Sequence, residues 1–183
     1  QGRDNRLVQF MKIKGEAMSK LNNGELVLFP EPQIITTAEY KSTTGYDIKK
    51  GLTMSVDDKI QNNQVVGVIE YRAAEAYLNY IEACYLRKGS IDASADKYWK
   101  AIRKRAGVSE DYRRTIELTD MSKESCLLSA YTAGKLVDKT MFNIRRERAC
   151  ELMSEGFRWD DLRRWRSMDQ LVNTPYQVEG FKL

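Results

Sequence analysis

Glu75 and Glu82 stand seven residues apart in a stretch of helical periodicity, which sets them on one helix face about 10 Å apart along the axis. Two carboxyls roughly 5–9.5 Å apart that flank a glycosidic bond can hydrolyse it, so the pair is a candidate glycosidase site. The competing reading is structural. Both acids border apolar stripes in a chain rich in arginine, and a guanidinium grips a carboxylate through two parallel hydrogen bonds that lock helices together. From Asn143 to Arg166 there are seven arginines, with Glu147, Glu151, Glu155, Asp160 and Asp161 among them. Their spacing allows i,i+3 and i,i+4 pairs such as Arg148 with Glu151, Arg158 with Asp161 and Asp160 with Arg164. The favoured role is a clamp between helices, in which Arg146 or Arg148 reaches Glu75 or Glu82 and no chemistry is left for those ions.

Other catalytic groups are scarce. The chain has no histidine in 183 residues, which removes Ser-His-Asp and Cys-His nucleophiles, histidine-ligated zinc and histidine general bases. Cys84, Cys126 and Cys150 have no CxxC spacing, so metal binding is not expected, and they read as small hydrophobes on helices. A Cys84–Cys150 bridge requires their helices to pack side by side. No phosphate-cradling glycine loop or dinucleotide fingerprint occurs, and no cofactor is expected. The net charge of +4 comes from interleaved signs, which argues against a nucleic-acid partner. No apolar run approaches the ~20 residues of a bilayer helix.

Aromatic rings are sugar platforms, because a pyranose packs its C–H groups on a ring while its hydroxyls take polar partners. Trp99, Trp159 and Trp165 fall on helical stripes and read as core. Phe29 and Tyr40 lie in loop-like sequence and are better placed for ligand contact, with Glu39 beside Tyr40 as a hydroxyl partner.

The elements that must carry these residues change character near residue 70. Residues 1–68 read as an irregular segment of short strands and long loops, with apolar runs Leu7–Ile13, Glu25–Phe29 and Gln33–Thr37. Turns are expected at Asn22-Asn23-Gly24, Pro30-Glu31-Pro32 and Thr44-Gly45-Tyr46. Residues 69–183 read as helical. The first helix spans Ile69–Lys88 and stops at Gly89. It has one apolar face at Ala74, Leu78, Ile81 and Tyr85 and a second at Ala76, Tyr80 and Ala83, as in a helix between two neighbours. The next helix starts after Ser90 or Asp92 and ends at Ala106 before Gly107, burying Ala95, Trp99 and Ile102. Ser109–Ser125 is polar and turn-rich. A third helix is expected over roughly Lys135–Glu155, stopping at Gly156, and a short fourth from about Arg158 to Met168. Ala83, Leu86, Ala95 and Trp99 fit the spacing of a tetratricopeptide-like hairpin, which needs neighbours to bury its faces. The fold class is mainly α: tetratricopeptide-like hairpins with an irregular, partly β N-terminal segment.

Five ordered segments resemble one family. Ile69-Glu70-Tyr71-Arg72-Ala73-Ala74-Glu75-Ala76-Tyr77-Leu78-Asn79-Tyr80-Ile81-Glu82-Ala83 is similar to the signature helix of the SusD/RagB family of outer-membrane nutrient-binding lipoproteins. Ala101-Ile102-Arg103-Lys104-Arg105-Ala106-Gly107 resembles its second block. Arg145-Arg146-Glu147-Arg148-Ala149-Cys150-Glu151-Leu152, with Ser154 to Trp165, resembles the third. Asp4-Asn5-Arg6-Leu7 and Thr44-Gly45-Tyr46 sit where the family tends to have Asp-Pro-Arg and Thr-Gly-Tyr, Asn5 replacing the proline. The resemblance implies a central-to-C-terminal portion of a larger, lipid-anchored surface protein of the outer membrane. It implies a binding protein, not an enzyme, that captures an oligosaccharide or similar nutrient and works with a SusC-like TonB-dependent transporter. The family's ligand residues follow no fixed motif, so none is carried over. A helical-repeat adaptor for protein or peptide, and a glycosidase using Glu75 and Glu82, stand as alternatives.

Overall fold

The computed structural model describes residues 4–35, 42, 44–57, 67 and 69–172. The chain divides at the Glu70–Tyr71 boundary into two compact units.

In the first unit, Arg6–Phe10 forms a short helix, α1, where the run Leu7–Ile13 suggested a strand. Its start is organised by Asp4, which accepts from the Arg6 backbone N–H at 2.9 Å and from Nε at 2.9–3.0 Å. This local loop favours a helical turn over extension. A hairpin follows, β1 (Ala17–Lys20) paired antiparallel with β2 (Leu26–Leu28). The expected turn is there: Gly24 sits at φ +89°, and Asn23 Oδ1 accepts from the Glu25 N–H at 3.0 Å. Phe10 and Phe29 are buried in this unit, with the Lys50 ammonium 4.1 Å from the Phe10 ring centre.

The second unit is a set of packed helices. Helix α2 (Ala73–Lys88) begins four residues later than its apolar pattern suggested, because Arg72 is extended. It ends as expected at Gly89, φ +65°, whose N–H returns to the Tyr85 carbonyl. Helix α3 (Ala93–Arg105) is capped by Asp92, which accepts from the Ala95 N–H at 2.9 Å. One α2 stripe and the α3 stripe meet in a core of Leu78, Ile81, Ala95, Trp99 and Ile102, joined by Tyr112 and Ile144. Among the described residues the second α2 stripe is not covered: Ala76, Tyr80 and Ala83 are exposed, and Leu86 is 68% exposed. The hairpin spacing is therefore met by burial on α3 but not at Ala83 and Leu86 on α2.

The polar stretch after Gly107 is more regular than its composition suggested. It forms α4 (Tyr112–Leu118) and a single turn, α5 (Met121–Glu124). Asp111 caps α4, and Tyr112 stacks on Trp99 with centroids 4.2 Å apart. Tyr112, with half-buried Ile116 packed against the same core, anchors a helix whose other residues are mostly polar. A two-residue hairpin, β3 (Tyr131–Thr132) and β4 (Lys135–Leu136), then takes residues assigned from sequence to the third helix. That helix, α6 (Lys139–Glu151), starts only at Asp138, whose carboxylate accepts from the Thr140 and Met141 N–H groups. Helix α7 (Phe157–Arg164) follows Gly156, which opens it at φ +85° instead of closing α6. A 3-10 turn over Met168–Leu171 ends the described chain.

Candidate functional site

Glu82, Arg148 and Asp161, singled out from sequence, converge where α2, α6 and α7 meet, but the pairing differs from the one expected. Glu82 is 3% exposed on α2 and is gripped by Arg164 of α7, not by Arg146 or Arg148. Arg164 donates through Nη1 at 2.6 Å and Nη2 at 2.7 Å to the two carboxylate oxygens, and the Trp165 indole donates at 2.6 Å. Arg148 of α6 turns instead to Asp161 of α7, with Nε 2.7–2.9 Å from its oxygens, and to Asn79 of α2 at 2.8 Å. Arg164 Nε also reaches Asp161 at 2.9 Å, so one carboxylate–guanidinium chain ties all three helices. Burial works against the charge of Arg164, yet its bonds to Glu82 and Asp161 hold its pKa above the ordinary value.

A second knot lies beside the first. Glu151, fully buried, receives Arg72 Nη2 at 3.0 Å and an Arg105 guanidinium, while Arg72 also forks onto Glu155 at 2.7–2.8 Å. Glu147 receives the Trp99 indole at 3.0 Å and Arg103 at 2.9 Å. Helices α2, α3 and α7 are thus fastened to α6, with Glu147, Glu151 and Glu155 of the local run taking arginines from outside it. The pair Arg148–Glu151 is replaced by Arg148–Asp161, and Asp160 faces Arg163 at 3.8 Å in place of Arg164. Asp161 is held by Arg148 of α6 and by Arg164 of its own helix. Arg146 lies near Glu124 at 3.5 Å and on Asn143. Glu75 is half-buried and makes no ion pair among the described residues. Local spacing supplies several candidates worth tenths of a kcal/mol each, and the packing of distant helices chooses between them.

Arg145 has a role the sequence did not suggest. It is buried and donates to the Ser129 and Tyr131 carbonyls at 3.0 and 2.8 Å and to Thr132 Oγ1 at 2.7 Å. Its guanidinium lies 4.5 Å from the Trp165 ring centre. Desolvation pulls its pKa down to about 10. It pins the 129–132 strap to the frame.

Of the proposed ligand residues, Glu39 and Tyr40 lie outside the described residues. Phe29 is 5% exposed, with the Lys49 ammonium 5.8 Å from its ring centre. It belongs to the interior of its unit, where its N–H donates to the Glu16 carbonyl at 2.9 Å and its carbonyl accepts from the Gly15 N–H at 3.0 Å. It does not offer the open ring expected of a loop aromatic.

Trp159 also departs from its expected place. Trp99 and Trp165 are core, but Trp159 is 58% exposed. Residues three apart drift by about 60° around a helix, so Trp159 and Trp165 stand about 120° apart and cannot share one buried face. The exposed indole lines a cavity of about 620 Å³ between the end of α6 and the start of α7. The three cysteines form no disulfide: Cys84 is buried, whereas Cys126 and Cys150 are exposed.

These features define a helical scaffold stitched by buried carboxylate–guanidinium bonds, with Glu82, one of the two candidate catalytic acids, taken up in that stitching. A model of the SusD family matches residues 1–182, and the chain belongs to that family, whose members are nutrient-binding proteins of the outer membrane. No curated protein and no solved structure matches the chain. Among the described residues, no helix is long and apolar enough to cross a membrane.

Proposed function

We propose that this chain is the nutrient-capturing component of an outer-membrane uptake system, binding an oligosaccharide at the cell surface and delivering it to a SusC-like TonB-dependent transporter. Family membership supports the binding role. The observation that carries the choice of binding over hydrolysis is the state of Glu82. Its oxygens accept three hydrogen bonds at 2.6–2.7 Å from Arg164 and Trp165. A carboxylate whose two oxygens are taken up in this way has neither left to meet a glycosidic bond. The protein is then a lipid-anchored carrier, not an enzyme, and it needs no cofactor.

Calorimetric titration with a panel of malto-, xylo-, galacto- and manno-oligosaccharides tests this reading, with release of reducing ends followed in the same mixtures. Binding of at least one series without turnover is expected. Absence of all binding, or turnover that disappears in Glu75→Gln, would overturn it. Binding of peptides but not of glycans would favour the adaptor alternative. A TonB-dependent barrel encoded beside the gene is the expected genomic context.

A further inference from the structure

We propose that the cleft between the end of α6 and the first turn of α7 is a saccharide subsite in which Trp159 supplies the stacking face, an inference that rests on the nutrient-binding reading above. The link between the two helices contains two left-handed residues, Ser154 at φ +64° and Gly156 at φ +85°. Left-handed geometry is costly for serine, and here it folds the link back into a concavity in place of a straight run into α7. The cavity of about 620 Å³ lies within the range of small-molecule sites, roughly 300–1,000 Å³.

Its lining has the two chemistries a pyranose needs. Leu152 is buried and Phe157 half-buried, giving an apolar base, while Ser154, Arg158 and Trp159 are exposed at the rim. The Trp159 ring is the large flat surface for sugar C–H groups, and the Ser154 hydroxyl is a hydrogen-bonding partner for sugar hydroxyls. The charges at the base are matched: Arg148 and Asp161, which also line the cleft, bond each other at 2.7 Å. A matched pair leaves no uncompensated charge at the apolar base, which suits an uncharged sugar ring there. The next apolar residues along the chain, Leu162 and Trp165, are buried, so core packing does not account for the exposed indole.

The three tryptophans give three indole N–H signals in a ¹H–¹⁵N spectrum of the whole chain, and Trp159→Phe assigns the one of interest. Methyl glycosides of glucose, galactose, mannose and xylose, with the oligosaccharide panel above, are the probes. The Trp159 signal is expected to move with at least one sugar while those of Trp99 and Trp165, tied to Glu147 and Glu82, stay in place. Trp159→Ala, at an exposed position, is expected to weaken that binding at least tenfold with an unchanged urea midpoint, and Trp159→Phe to retain part of it. Sugar binding that leaves the Trp159 signal still and survives Trp159→Ala would overturn the subsite while leaving the nutrient-binding reading intact. No sugar binding anywhere on the wild-type chain would remove both. A Trp159 signal that moves with a short apolar peptide and with no sugar would make the cleft a protein contact and overturn the assignment.

Discussion

Replacing Glu82 by alanine is expected to lower the stability of the helical unit by about 2–4 kcal/mol, below the full cost of breaking a buried ion pair because Arg164 is partly exposed. The figure follows from the donors left behind. The Trp165 indole is buried and has its N–H on Glu82 Oε1, so the substitution strands a donor away from water. Arg164 loses a two-pronged partner but keeps Asp161 at 2.9 Å, and its side chain is 42% exposed, so water takes part of the vacated site. Glu82→Gln should therefore cost less, about 1–3 kcal/mol: its amide oxygen can still serve the indole and Nη1, while its NH₂ group faces the donor Nη2. Urea denaturation followed by tryptophan emission reports on this unit, since all three tryptophans lie in it. A cycle with Arg164→Met should give a coupling of at least about 1 kcal/mol. Glu75→Gln is the internal control and should stay within about 0.5 kcal/mol of wild type. A Glu82→Ala protein as stable as that control, with no coupling to Arg164, would refute the frame.

Three further outcomes are expected. Lys100, together with Tyr112 and Arg113, holds Asp96 below its ordinary value of 3.8, against the opposing effect of desolvation. Its stabilisation is present above that value and is lost as pH falls below it, because the unfolded chain then takes up the proton first. The acid limb of stability against pH should be flatter in Asp96→Asn, and parallel limbs would contradict the assignment. Arg145→Lys should cost about 2–3 kcal/mol and speed amide exchange over residues 129–132, since one ammonium cannot reproduce the bonds to Ser129, Tyr131 and Thr132; unchanged exchange would show that the strap is held by something else. Gly156→Ala should cost about 1–2 kcal/mol through backbone strain alone, because its new methyl would meet no atom within 4 Å. Gly156→Asn should cost less, and an equal loss in both variants would point away from the left-handed backbone as the cause.

Much of the helical unit was legible from short-range signals. Gly89 ends α2 and Asp92 caps α3 because each acts on backbone groups within a few residues, and the stripe Ala95, Trp99, Ile102 follows from helical geometry alone. The hairpin turn at Asn22-Asn23-Gly24 was readable for the same reason. Helix α4 was not, since its residues are mostly polar and its anchor is Tyr112 stacking on Trp99 of the preceding helix. The third helix started later than expected because two of its assigned residues pair with Tyr131 and Thr132.

The sequence by itself determined that this chain would be mainly helical, that its arginines and acids would largely be taken up by one another, and that histidine chemistry was excluded. Only the tertiary structure decided which arginine meets which acid and which tryptophan stays in water. Spacing along a helix constrains neighbours within one or two turns, whereas Glu82 and Arg164 are brought together across 82 residues by the packing of α2 against its partners. Phe29 and Trp159 exchanged their expected environments for the same reason: burial is a property of the surfaces an element meets, and those surfaces come from elsewhere in the chain.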